Sequence, residues 1–115
     1  MTPEKFRELA RQLPRASEGE HHGHADFRVG GKIFATLGYP TIEFATILLT
    51  PKEQASFVQA EPGSFVPVPG GWGRKGSTNV RLKSGRRRAV KQALRAAWKR
   101  KAPRRLARGT SVPAR

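Results

Sequence analysis

An α+β fold with helices packed against one antiparallel sheet is what the sequence predicts, and three observations carry that prediction. Two stretches place apolar residues at helical spacing: Phe6, Leu9, Ala10 and Leu13 near the start, and Val90, Leu94, Ala97 and Trp98 near the end. Between them lie short runs rich in β-branched and aromatic residues, two of them flanking a Gly30-Gly31 pair of the kind that turns a hairpin. Thr50-Pro51-Lys52-Glu53 is a capping box with proline at the first helical position, so a helix divides the strands into two groups. The expected order is α-β(3)-α-β(2)-α.

Each element has its own warrant. Thr2 caps the first helix with Pro3 at its first position, and Pro14 ends it. The segment Ser17 to Asp26 leads into a first strand at Phe27-Arg28-Val29, whose side chains alternate inward and outward. Lys32 to Leu37 returns as the second strand and Thr41 to Leu49 forms the third. The helix opened at Thr50 runs to about Ala60 with Ala55, Phe57 and Val58 as its apolar residues, and Glu61-Pro62-Gly63 stops it. Phe65 to Val68 is extended, and Pro67 restricts it to a sheet edge or an irregular position. Pro69 to Gly73 is a glycine-rich loop around Trp72, and Asn79 to Leu82 is the last strand. The final helix runs from about Arg86 to Lys101, with Ser84 expected as its N-cap and Pro103 closing it. One domain over residues 1–106 and a disordered basic tail over 107–115 complete the prediction.

Charge is unevenly placed. All eight acidic residues lie at or before Glu61, among seven Lys or Arg, whereas from Pro62 onward there are sixteen Lys or Arg and no acid. The final helix shows Arg88, Lys91, Arg95 and Lys99 at steps of three and four, one row of cations beside its apolar stripe. That distribution is the footprint of a polyanion-binding surface. The chain has no cysteine, which excludes disulfides and thiolate chemistry. A start without a basic region followed by an apolar run predicts the cytoplasm, and no apolar run has the length of a membrane span.

Several motifs then point to a family. Leu13-Pro14, His22-Gly23-His24-Ala25-Asp26-Phe27-Arg28-Val29, Gly31-Lys32-Ile33-Phe34-Ala35-Thr36-Leu37, Phe65-Val66-Pro67, Gly70-Gly71-Trp72-Gly73 and Ala97-Trp98-Lys99-Arg100-Lys101-Ala102-Pro103 follow one another in an order and spacing that resembles the MmcQ/YjbR family. The resemblance implies a fold similar to type III secretion chaperones and a DNA-binding role through a double-wing arrangement, with no catalytic residues to carry over. Two segments depart from the family pattern. Ser77 to Asn79 lacks an aromatic residue after Gly76, and Lys83 to Arg88 is unusually basic, which strengthens the case for anion binding in this member.

The remaining candidates are weighed on their chemistry. Glu20, His22, His24 and Asp26 would share one face of an extended strand and could approach a metal ion, but no histidine exists outside the stretch that holds His21, His22 and His24 to supply a distant ligand. They are therefore read as hairpin residues, with no metal and no cofactor expected. Lys32 is expected to pair with Glu20 or Asp26 across the strands. The glycines around Trp72 suit a base-stacking platform and a core plug equally, while Trp98 belongs to the core stripe. Gly70 to Thr78 lacks the Gly-Lys-Ser/Thr ending of a phosphate-binding loop, and no serine sits in a nucleophile elbow.

The expectation is a monomeric, non-enzymatic nucleic-acid-binding module, with Arg74, Lys75, Arg88, Lys91, Arg95 and Lys99 neutralising DNA phosphates. A protein-interaction module with an acidic partner is the alternative, marked by an exposed apolar patch around Phe65, Val68 and Trp72. A ligand pocket formed by Glu20, His22, Lys32 and Trp72 would reopen the question of an enzyme.

Overall fold

A computed structural model of the chain describes residues 1–111, with side chains considered as far as Ala107. Helix α1 (Pro3–Arg11) is capped by the Thr2 hydroxyl, which accepts from the Lys5 amide at 3.0 Å, and it buries Phe6, Leu9 and Ala10. Strands β1 (Ser17–His21), β2 (His24–Val29), β3 (Lys32–Leu37) and β4 (Phe44–Leu48) follow as an antiparallel meander. Helix α2 (Pro51–Ala60) carries both hydrogen bonds of its capping box, Glu53 amide to Thr50 at 3.1 Å and Thr50 amide to Glu53 at 2.9 Å. Strand β5 (Phe65–Pro67), the one-turn helix α3 (Gly71–Arg74), strand β6 (Ser77–Arg81) and helices α4 (Arg87–Lys101) and α5 (Arg104–Ser111) complete the chain.

The six strands form one antiparallel sheet in the order β1-β2-β3-β4-β6-β5. Pro67 lies on the edge strand β5, where its missing N–H removes no ladder bond to a further neighbour. Helices α1 and α4 cover one face, α4 crossing β3 and β4 and α1 lying beside it. The core between them gathers Phe6, Phe27, Phe34, Ile47, Val80, Val90, Leu94 and Trp98, all at most 1 % exposed. Phe6 meets Phe27 edge-on at 5.9 Å, a favoured aromatic geometry. The Trp98 indole N–H donates to the Pro14 carbonyl at 2.9 Å, so the core's largest side chain satisfies its polar atom at the end of α1.

Several features differ from the sequence expectation, among them a turn of helix, α3, within the expected glycine-rich loop, and β6 beginning at Ser77 rather than Asn79. Ser17–His21 is itself a strand, paired from Ser17 with Arg28 to His21 with His24, so four strands precede α2. Its residues are polar because β1 is an edge strand with almost nothing to bury, which removes the alternation that marks a strand. The strand expected from Thr41 starts at Phe44, because the Phe44 amide turns back to the Thr41 carbonyl at 3.0 Å. Ser84 does not cap α4. Arg86 holds the cap position, and the Ser84 hydroxyl bonds instead to the Gly63 carbonyl at 3.0 Å and to Ser64 at 3.1 Å. From residue 107 to Ser111 the expected tail is helical as part of α5, and residues 112–115 lie outside the described residues.

Candidate functional site

The sheet face turned away from α1 and α4 carries a row that is polar over its four central strands. Strand register places Gly19, Asp26, Thr36, Thr46, Asn79 and Val66 opposite one another across all six strands. Alternation makes this arrangement possible, because Phe27, Ala35, Ala45, Ile47 and Val80, one position away, point into the core. The Thr46 hydroxyl donates to the Asn79 side-chain oxygen at 2.8 Å, which turns the Asn79 amide nitrogen outward from that bond as a donor.

Asp26 is the fully buried charge of this row. Arg28 grips it with Nε at 2.7 Å and Nη2 at 2.9 Å, and His21 Nδ1 lies 2.7 Å from its other oxygen. The bond from Arg28 is the main cause holding the Asp26 carboxyl below its usual range; burial opposes it, and His21 assists. An ionised carboxylate only accepts, so His21 donates through Nδ1 and keeps Nε2 as an acceptor when neutral. Gly19 makes room for this cluster, since a Cβ there would stand 2.9 Å from Asp26 Oδ1.

A cleft of about 630 Å³ opens over the row. Thr36, Thr46 and Ser77 contribute its floor, and His21, His22 and His24 close one end. Tyr39 stands on one wall, edge-on to His24 at 5.8 Å, and Trp72, Val68 and Pro69 form the other. Tyr39 is 57 % exposed and Trp72 69 % exposed. The Trp72 wall is fixed by the packing beneath it. A Cβ on Gly73 would fall 1.6 Å from the Val68 carbonyl oxygen, and Gln54 Nε2 donates to the carbonyls of Gly73 at 2.9 Å and Ser77 at 3.0 Å. Lys75 Nζ lies 5.7 Å from the Trp72 ring centre and covers part of the indole.

The cations of α4 occupy a different surface. Arg88, Lys91, Arg95 and Lys99 are all exposed along the helix, while Val90, Ala93, Leu94, Ala97 and Trp98 are buried on its inner side. The acids are engaged elsewhere: Glu8 with Lys5, Glu18 with Arg7 and Arg11, Asp26 with Arg28, and Glu53 with Arg100. Among the described residues no carboxylate forms an ion pair with Arg88, Lys91 or Lys99.

The structure brings His22 and Trp72 together in the cleft but leaves Glu20 and Lys32 outside its lining. The reason is the turn at His22-Gly23, both at positive φ, which folds the expected single extended strand into a hairpin and puts Glu20 opposite Ala25. Lys32 sits at the turn opposite Val29, and Arg28 and His21 take Asp26 in its place. Arg74 and Lys75 are exposed on the Trp72 wall rather than beside the α4 row, which lies across the opposite sheet face. Trp72 is no core plug. Phe65 is buried among core residues, so the apolar patch expected with Val68 and Trp72 exists only in part. Sequence reasoning missed Thr36, Tyr39, Thr46 and Ser77; the threonines interrupting otherwise apolar strands were the available signal. Among the described residues no three or more His, Asp or Glu are grouped so as to hold a metal ion, and no helix is long and apolar enough to cross a membrane.

The family model described as YjbR matches residues 11–100. The chain belongs to the YjbR family. The YjbR match runs from the end of α1 through most of α4, so it contains both the cleft and the α4 cation row, while α5 lies beyond it. A crystal structure of a Deinococcus radiodurans protein with a DUF419 domain is similar to this YjbR chain at a TM-score of 0.73 and 17% identity, covering 97% of this chain and 89% of that one. That likeness supports the fold. No curated protein matches the sequence.

Proposed function

We propose that this YjbR protein is a cytoplasmic, non-enzymatic nucleic-acid-binding module that holds DNA phosphates on the outer face of α4. The observation that carries the reading is the row Arg88, Lys91, Arg95 and Lys99, exposed on a helix whose other side is locked into the core, with Arg88, Lys91 and Lys99 in no ion pair with a described carboxylate. Like charges at helical spacing repel one another, and a polyanion offsets that repulsion. Exposed Arg104 and Arg105 at the start of α5 extend the positive surface. Arg74 and Lys75 supply a second group of cations on the cleft side. Contacts of this kind position a protein on phosphate without reading sequence.

The test is titration of a labelled duplex at several salt concentrations. Four phosphate contacts give a slope of log affinity against log salt of about −3.6. Replacing Arg88, Lys91, Arg95 and Lys99 by glutamine reduces both affinity and slope. Duplex binding that disappears near physiological salt, or that the variant retains in full, refutes the proposal.

One observation favours the protein-interaction reading: Val68, Pro69 and Trp72 form an exposed wall on an otherwise uncovered sheet face. Against it, Phe65, one of the three apolar groups expected there, is buried.

A further inference from the structure

We infer that the cleft on the open face of the sheet binds single-stranded nucleic acid, with a base stacked on Trp72 and its polar edge on the hydroxyls of Thr36, Thr46 and Ser77 that line the floor. The inference rests on the nucleic-acid reading above but concerns the opposite surface of the molecule. Three independent features meet here.

The walls carry exposed aromatic rings, Tyr39 and Trp72, in a mostly apolar lining. Such rings offer stacking surfaces to any base. Thr36, Thr46 and Ser77 bring hydroxyls, which can donate and accept, to the lining, and His21, held by Asp26, adds a ring nitrogen at the far end. A planar heterocycle with mixed donors and acceptors on its edge is complementary to that set.

The charge around the cleft decides between occupants. Its lining contains no carboxylate, and Arg74 and Lys75 stand exposed beside Trp72, with Lys75 against the indole. A strand whose base reaches Trp72 therefore places its phosphates near two cations. The backbone that carries the ring is held: Gly73 lies against the Val68 backbone and Gln54 ties down the Gly73 and Ser77 carbonyls that follow. The volume of about 630 Å³ suits a nucleotide or two, and an open trough lets the chain continue beyond it.

The experiment titrates the full chain with a fluorescein-labelled oligothymidylate and, separately, with a duplex, at one salt concentration, while following tryptophan emission. Trp98 is buried, so quenching reports on Trp72. Trp72→Ala and Tyr39→Ala remove exposed side chains, and thermal melts verify that both variants fold. The expected result is quenching by oligothymidylate and a drop of about tenfold in the ratio of single-strand to duplex affinity for Trp72→Ala. The fourfold glutamine variant of α4 still shows quenching at saturation. Single-strand binding without quenching, or an unchanged ratio in Trp72→Ala, overturns the inference while duplex binding stands. An acidic aromatic peptide that quenches Trp72 at lower concentration than oligothymidylate also overturns it, assigning the cleft to a protein segment. Loss of duplex binding with retained single-strand quenching removes the α4 proposal and leaves the cleft in place.

Discussion

Asp26 has no contact with solvent, and a carboxylate so placed without partners would be expensive. Arg28 matches its charge and His21 hydrogen-bonds it, and its pKa is accordingly depressed by the Arg28 bond first. A depressed folded-state pKa means that ionised Asp26 contributes stability above the ordinary aspartate value of 3.8, and that this contribution drains away as pH falls through the folded value below it. Thermal melts between about pH 6 and pH 3 check this: wild type loses stability toward the acid end, and Asp26→Asn is less stable at pH 6 and flatter with pH. Both partners of Asp26 are partly exposed, so water screens the pair and the effect is smaller than for a deeply buried bridge. Trp98 lies at the other extreme. Trp98→Ala removes the largest core side chain and leaves the Pro14 carbonyl without its donor, an expected loss of about 3–5 kcal/mol by denaturant unfolding.

At the scale of elements, Thr50→Ala deletes half of a capping box on a helix that has no buried residue, so α2 depends heavily on its cap. The expected cost is about 1 kcal/mol, read as a shift in denaturant midpoint. Gly73→Ala forces a methyl group into the Val68 carbonyl and should cost about 1–3 kcal/mol, displacing the Trp72 wall if the backbone yields. Helices α1, α2 and α4 were legible in the sequence because each announces itself locally: Thr2-Pro3, Thr50-Pro51 with Glu53, and the Val90 to Trp98 stripe need no knowledge of neighbours. The strand β1 was not. Its Ser17-Glu18-Gly19-Glu20-His21 sequence becomes a strand only because β2 offers it a ladder. The cleft was half legible for the same reason. Trp72 and His22 stand out as residue types, whereas Thr36, Thr46 and Asn79 become one row only through pairing register across β3, β4 and β6.

For the whole molecule, the formal charge of +15 is a cost that the fold carries in its second half. Few acids are available to offset it, so adding salt screens repulsion among the exposed cations. Melting temperature is expected to rise from low salt to about 0.5 M, and to rise less in the variant with four glutamines on α4. A melting temperature independent of salt would mean that the cations are too far apart to feel one another. The same asymmetry orders the surfaces: the helical face carries the cation row, and the open face carries the cleft.

Helix α4 supplies Val90, Ala93, Leu94, Ala97 and Trp98 to a core whose other members begin at Phe6. During synthesis, every strand and the first helix have therefore emerged before the segment that covers them exists. Until Trp98 reaches Pro14, the nascent sheet shows Phe27, Phe34 and Ile47 to water. Completion of folding must wait until α4 clears the ribosome, and a chain cut short before Arg87 is left with an uncovered apolar face and a tendency to aggregate.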